Sequence, residues 1–159
     1  MDEAAEDDLR HLATAIEVAG RARAHGNHPF GALLAAGGDV LLEAENTVIT
    51  GRDRTRHAES NLVSLAESEL TPEHLAAVTL YTSTEPCAMC AGAIYWCGIT
   101  RVVYGLAEAG LLELTGSSPA NPTLALPCRE VFARGQREVV VLGPLLTGAA
   151  RAVHEGFWR

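Results

Sequence analysis

The chain has 159 residues, 48% hydrophobic and 20% charged, which suits one domain burying roughly 70% of its unfolded surface and excludes a disordered tract. Its net charge is −8 and all twelve basic residues are arginine, a balance that argues against a large nucleic-acid partner. No run of about 18 apolar residues is present to span a membrane, and the acidic start Met1-Asp2-Glu3-Ala4-Ala5-Glu6-Asp7-Asp8 is unlike a basic targeting segment, so a cytoplasmic protein is expected.

In chain order, Leu9, Leu12, Ile16 and Ala19 recur at helical spacing and predict a helix from Glu3 to about Ala24, ended by Gly26-Asn27-His28-Pro29. Gly31 to Ala36 and Val40 to Ala44 read as strands joined through Gly37-Gly38, a pair that permits a tight hairpin turn. Residues 46–56 read as a loop containing the basic run Arg52, Arg54 and Arg56. That run is either a solvated segment partly neutralised by Asp53 or a place to meet a phosphate.

A helix follows from His57 to Glu69, with Pro72 separating it from a strand over Val78 to Thr82. Pro86, just ahead of the next helix (Cys87 to Trp96), suits the first-turn preference of proline. Arg101 to Gly105 and Glu138 to Leu142 complete the strands. The long connection between them, with a short helix near Arg129 to Ala133, permits a parallel crossover. A last helix is expected over Pro144 to Trp158, carrying Leu145, Ala149, Val153 and Phe157 on one side. The pattern predicts an α/β fold, a three-layer α/β/α sandwich around a five-stranded mixed sheet.

Four cysteines in this length are too few for a dense disulfide framework, and Cys97 and Cys128 read as ordinary buried thiols. Cys87 and Cys90, three apart on one helix, share a face and can reach a single ion. Amides at a helix start favour the thiolate form that ligates metal. With His57 at the start of another helix, the set becomes one imidazole and two thiolates for zinc. A catalytic zinc site takes three protein ligands and leaves the fourth position open. Glu59, two residues past His57, is then a spare carboxylate able to act as acid and base.

His57-Ala58-Glu59 followed by Pro86-Cys87-Ala88-Met89-Cys90 has the form of the zinc deaminase signature. On those residues the chain resembles the cytidine and nucleobase deaminase superfamily. Pro29-Phe30-Gly31-Ala32, Asn46 and the block from Tyr81 to Trp96 look most like bacterial guanine deaminases. The resemblance covers nearly the whole chain. It implies a cytidine deaminase-like fold, a Zn2+ cofactor, Phe30 stacking on a planar base, Asn46 hydrogen-bonding its polar edge, and a homodimer.

Guanine deaminases of this type carry an acid-rich loop after the position of Tyr104. Here the corresponding stretch is Gly105 to Glu113, in which Glu108 or Glu113 stands as the substitute. The family often closes the pocket with C-terminal residues, which makes Phe157 and Trp158 either a lid or a core or dimer contact. The leading expectation is hydrolysis of the exocyclic amine of a small amino-purine base or nucleoside. A tRNA adenosine deaminase, a cytosine deaminase and a non-catalytic zinc-stabilised module are the alternatives.

Overall fold

A computed structural model describes residues 3–158; Met1 and Asp2 of the acidic start, and Arg159, lie outside the described residues. Strands β1 (Gly31–Ala36), β2 (Asp39–Glu45), β3 (Thr79–Thr84), β4 (Arg101–Leu106) and β5 (Val140–Leu142) form one sheet in the order β2-β1-β3-β4-β5. β1 pairs antiparallel with β2 and β3, whereas β3 with β4 and β4 with β5 are parallel. Seven helices occur among the described residues: α1 (Glu6–Ala24), α2 (Ala58–Glu69), α3 (Pro72–Ala77), α4 (Ala88–Cys97), α5 (Glu108–Thr115), α6 (Cys128–Ala133) and α7 (Thr147–Ala152).

The strands alternate between two cores, as a pleated strand must. Leu33, Ala35, Tyr81 and Val103 pack with Leu12, Ala15 and Ile16 of α1 and Ala150 of α7. Ala32, Leu34, Leu80 and Val102 turn the other way onto Leu62 of α2, Ile94 of α4 and Phe132 of α6. The result is the three-layer α/β/α sandwich with its five-stranded mixed sheet. Leu62 and Leu80 are completely buried, so truncating either to alanine costs about 2–5 kcal/mol.

Two glycines are required where they stand. Gly37 has φ +58° at the tight hairpin turn, a left-handed conformation that glycine adopts without penalty. At Gly31 a Cβ would lie 2.4 Å from the backbone nitrogen of Ala19, so only glycine lets β1 start this close to α1.

Three expectations need correction. Pro72 opens a helix instead of merely separating elements, because Thr71 caps it by accepting the amide of His74. The stretch after Tyr104 contains α5 where a loop was expected. The terminal helix is only Thr147–Ala152. Before it, Leu146 has φ +49° and the amide of Leu145 donates to the carbonyls of Tyr104 and Gly105, folding the chain onto β4. After it, the amides of His154, Glu155 and Phe157 bond three residues back, as in tight 3₁₀-type turns.

Candidate metal centre and substrate cavity

His57 and Cys87 occupy equivalent places, each the N-cap of a helix: His57 of α2 (φ −68°, ψ 157°) and Cys87 of α4 (φ −66°, ψ 171°). Their extended backbone brings two helix starts together at one end of the sheet. Cys90 follows one turn into α4 and is fully buried. His57 Nδ1 lies 3.6 Å from Cys87 Sγ and 3.6 Å from Cys90 Sγ, and the three ligand atoms all fall within 4.8 Å of one another. Zinc bonds of about 2.3 Å to sulfur and 2.0–2.1 Å to nitrogen, at a tetrahedral angle, separate N from S by about 3.6 Å. The donor set and its spacing therefore fit zinc.

The three groups compete for protons. Cys87 is brought down to about 4, chiefly by the Cys90 thiol hydrogen-bonded to it and also by His57, against the opposing effect of burial. Cys90 is pushed the other way by Cys87 and by burial. His57 is raised, first by its hydrogen bond to Cys87. A divalent cation held by His57, Cys87 and Cys90 would favour the thiolate form of both sulfurs.

Glu59 stands in the first turn of α2 and is only 5% exposed. Thr82 on β3 donates its hydroxyl to Glu59 Oε1 at 2.5 Å and lies 2.9 Å from the Thr84 carbonyl. Burial raises the pKa of Glu59, while the Thr82 hydrogen bond and the His57 charge pull it down. A carboxyl pushed both ways is suited to giving and taking a proton.

His57, Cys87 and Glu59 line one cavity of about 540 Å³, together with Phe30 and Asn46. Asn46 is 1% exposed. Its Oδ1 accepts the Val48 amide in a local turn, which leaves Nδ2 as the hydrogen-bonding group for an occupant. Asn46 thus forms a local turn and lines the cavity with the same side chain. Phe30 is half-buried and packs against both cores.

The C-terminal aromatics do not form a lid over this cavity, since neither Phe157 nor Trp158 is among its lining residues. They stand behind it: the Trp158 ring lies 5.1 Å from that of His28 and 6.1 Å from that of Phe30, and Phe157 lies 5.8 Å from His28. Trp158 Nε1 donates to His154 Nδ1 at 3.0 Å. Burial lowers His154 to about 4, so this clamp is neutral and buttresses the wall.

Sequence reasoning left the alternative between Glu108 and Glu113 open. Glu108 lines the cavity and is 8% exposed, whereas Glu113 has a 71% exposed side chain and pairs with Arg151. Burial, then Cys87 and the neighbouring carboxylates, raise Glu108 to about 7. Other residues escaped the sequence altogether. Glu85 accepts the amide of Glu108 on one oxygen and that of Cys128 on the other, tying the starts of α5 and α6 to the end of β3. Residues 119–124, read only as loop, form a wall. The motif Thr82-x-Thr84-Glu85 beside Pro86-Cys87 was a possible signal, but nothing local announces burial.

Residues 5–106 match the family model described as "Cytidine and deoxycytidylate deaminase zinc-binding region". A probable cytosine deaminase of Schizosaccharomyces pombe is 42% identical over 157 residues, covering 98% of this chain and 95% of that protein. The guanine deaminase of Bacillus subtilis is 42% identical over 87 residues, 52% of this chain and 56% of that one. Among solved structures, a guanine deaminase from Nitrosomonas europaea superposes with a TM-score of 0.76 at 28% identity, over 97% of this chain and 85% of that one. With the metal-ligand triangle and the fold already in agreement, the chain belongs to the cytidine and deoxycytidylate deaminase family, as a zinc-dependent hydrolytic deaminase.

Proposed function

We propose that this deaminase acts on a small amino-substituted purine, as the free base or its nucleoside, replacing the exocyclic amine by a carbonyl and releasing ammonia. The observation carrying this reading is that a metal-ligand triangle, a buried carboxyl, an aromatic ring and an amide donor converge on one cavity. His57, Cys87 and Cys90 would hold the zinc, which supplies Lewis-acid activation of water at neutral pH. Glu59 takes a proton from the attacking water and delivers protons to the ring nitrogen and the departing amine. Thr82 favours the carboxylate that accepts a proton, and burial favours the acid that donates one. Phe30 offers its ring face to the planar base, and Asn46 Nδ2 donates to an acceptor on its edge.

The purine reading draws on the guanine deaminases among the similar proteins. A pyrimidine reading is favoured by the S. pombe relative, whose match runs nearly end to end. Zinc-replete protein assayed for ammonia release against guanine, guanosine, adenine and cytosine separates them. We expect turnover of a purine ahead of cytosine; turnover of cytosine alone transfers the assignment, and no turnover of any member rejects both. A tRNA substrate predicts salt-sensitive RNA binding, which the net charge of −8 opposes; a gel shift at two salt concentrations checks it.

Helix α4 supports assembly as a homodimer. Its ten residues carry no charge, Trp96 is 84% exposed, and Met89, which also lines the cavity, is 40% exposed, an apolar surface of the kind that marks an interface. Four free cysteines suit a reducing compartment, consistent with a cytoplasmic protein, and no helix among the described residues is long and apolar enough to cross a membrane.

A further inference from the structure

β3 ends in three hydroxyl residues, Thr82, Ser83 and Thr84. Thr82 donates to Glu59, and the Ser83 hydroxyl accepts the amide of Gly31 at 3.1 Å. Thr84 breaks the series: its side-chain oxygen is buried and, among the described residues, has no hydrogen-bond partner. The residue is 2% exposed and lines the cavity. One other buried side-chain atom among the described residues shares that condition, His154 Nε2, and His154 does not line the cavity.

Elsewhere on the cavity wall the protein supplies partners. Both oxygens of Glu85 accept backbone amides, Asn46 Oδ1 accepts the Val48 amide, and Asn121 Nδ2 donates to Thr123. A hydroxyl buried without a partner forfeits its hydrogen bonds to water and weakens the fold. Valine has nearly the same shape and suits a strand equally well, so packing does not call for the oxygen. Alternation along β3 turns Thr82 and Thr84 to one face, the face on which Thr82 meets Glu59. β1 runs antiparallel beside β3 with Ala32 opposite Thr82, so Phe30 and Thr84, each two residues further on, reach the same end of the sheet. The Thr84 hydroxyl thus borders the space that the Phe30 ring and the Glu59 carboxyl also line.

We propose that Thr84 is a substrate-binding residue whose hydroxyl hydrogen-bonds a polar edge atom of the bound base and so selects for an amino-heterocycle that carries such an atom. This rests on the deaminase reading of the same cavity and deepens it by assigning a further specificity residue. A hydroxyl has one donor and two acceptor positions and turns to suit its partner, so it donates to a carbonyl or ring nitrogen and accepts from a ring N–H. A base that presents C–H at that place leaves the hydroxyl unpaired and is rejected.

The test is calorimetric binding to zinc-loaded Glu59→Gln protein, with guanosine, adenine and cytosine as probes, comparing Thr84 with Thr84→Val and Thr84→Ser. For the probe that binds tightest, Thr84→Val should weaken binding about tenfold or more, the loss expected when a buried partner is left unpaired, and Thr84→Ser should recover most of it. Without ligand, Thr84→Val should leave the melting temperature unchanged or raise it by about 2–4 °C, because it removes an unpaired buried oxygen, and zinc content should stay the same. Binding by Thr84→Val within about twofold of its parent overturns the proposal. Equal weakening by Val and Ser does so too, since shape and not the hydroxyl would then matter. A melting temperature that falls by several degrees would show the hydroxyl bonded within the fold, and a loss of zinc would place it at the metal centre; either overturns the proposal. If a probe binds but the ammonia assay finds no turnover, the deaminase reading falls on its own and the binding comparison still decides the role of Thr84. If no probe binds, both fall.

Discussion

Asp8 and Glu59 are carboxyls buried against opposite faces of the same sheet, and adjacent residues of β3 serve them. Tyr81 turns to one face and donates its hydroxyl to Asp8 at 2.6 Å; Thr82 turns to the other and donates to Glu59 at 2.5 Å. There the likeness ends. Asp8 receives two parallel bonds from Arg101, at 2.8 and 2.9 Å, and the amide of Ala5 at 2.9 Å. That saturation, led by Arg101, holds it well below the ordinary carboxylate range. Among the described residues no guanidinium pairs with Glu59, and burial dominates and raises it. A carboxylate fully matched by donors is fixed in one protonation state and serves to join α1 to β3 and β4. One left short of donors carries a cost in the folded state, and what it retains is the capacity to exchange a proton.

The sharpest way to break this contrast is Glu59→Gln. Turnover should fall about 10³-fold, within the range for losing an acid/base group, while zinc content by atomic absorption is unchanged. Next in size, Asp8→Asn removes the carboxylate that Arg101 grips with two bonds, in a site where Asp8 has 4% side-chain exposure. The expected loss is about 3 kcal/mol in urea unfolding at neutral pH. Because the folded pKa of Asp8 lies below its unfolded value, this contribution exists above the ordinary carboxylate range and disappears as pH falls through the folded value. The parent and Asp8→Asn curves should therefore converge in acid.

A smaller effect is expected of Thr82→Val, which removes the hydroxyl but keeps the shape: kcat down about tenfold, with KM nearly unchanged. Thr82→Ser should recover most of the loss, an outcome that simple repacking does not predict. The smallest effect concerns Glu108, raised to about 7 chiefly by burial. Between about pH 4.3 and 7 the unfolded chain releases this proton more readily than the folded one, so the group costs stability as pH rises. Glu108→Gln removes that cost. Metal-depleted variant should gain about 1 kcal/mol over its parent at pH 8 and nothing at pH 4, the figure being reduced because the cavity meets solvent.

The sequence made the metal-ligand triangle legible because both of its local signals are short. Cys87 and Cys90 are one helical turn apart, and His57 and Pro86 mark helix starts. Gly37-Gly38 likewise announced the hairpin of β1 and β2, and the long connection before β5 its parallel crossover. Helix α5 was missed because the family resemblance implied a loop there, and Gly110 inside it lowers helix propensity. The last helix was overread because Leu145, Val153 and Phe157 share a helical period, yet they reach their apolar surroundings through two turns and a short helix. Glu85 meets Glu108 and Cys128 across 23 and 43 residues of chain, and the wall at residues 119–124 joins the cavity only in the folded protein. No period or motif encodes such contacts.

The contrast between the two carboxyls is tested most directly by measuring ammonia release and unfolding free energy together on Glu59→Gln and Asp8→Asn. The expected result is a crossed pattern: Glu59→Gln loses turnover and keeps or gains stability, whereas Asp8→Asn loses stability and keeps turnover per folded molecule. Substantial turnover in Glu59→Gln, or a stability loss there equal to that of Asp8→Asn, would contradict it.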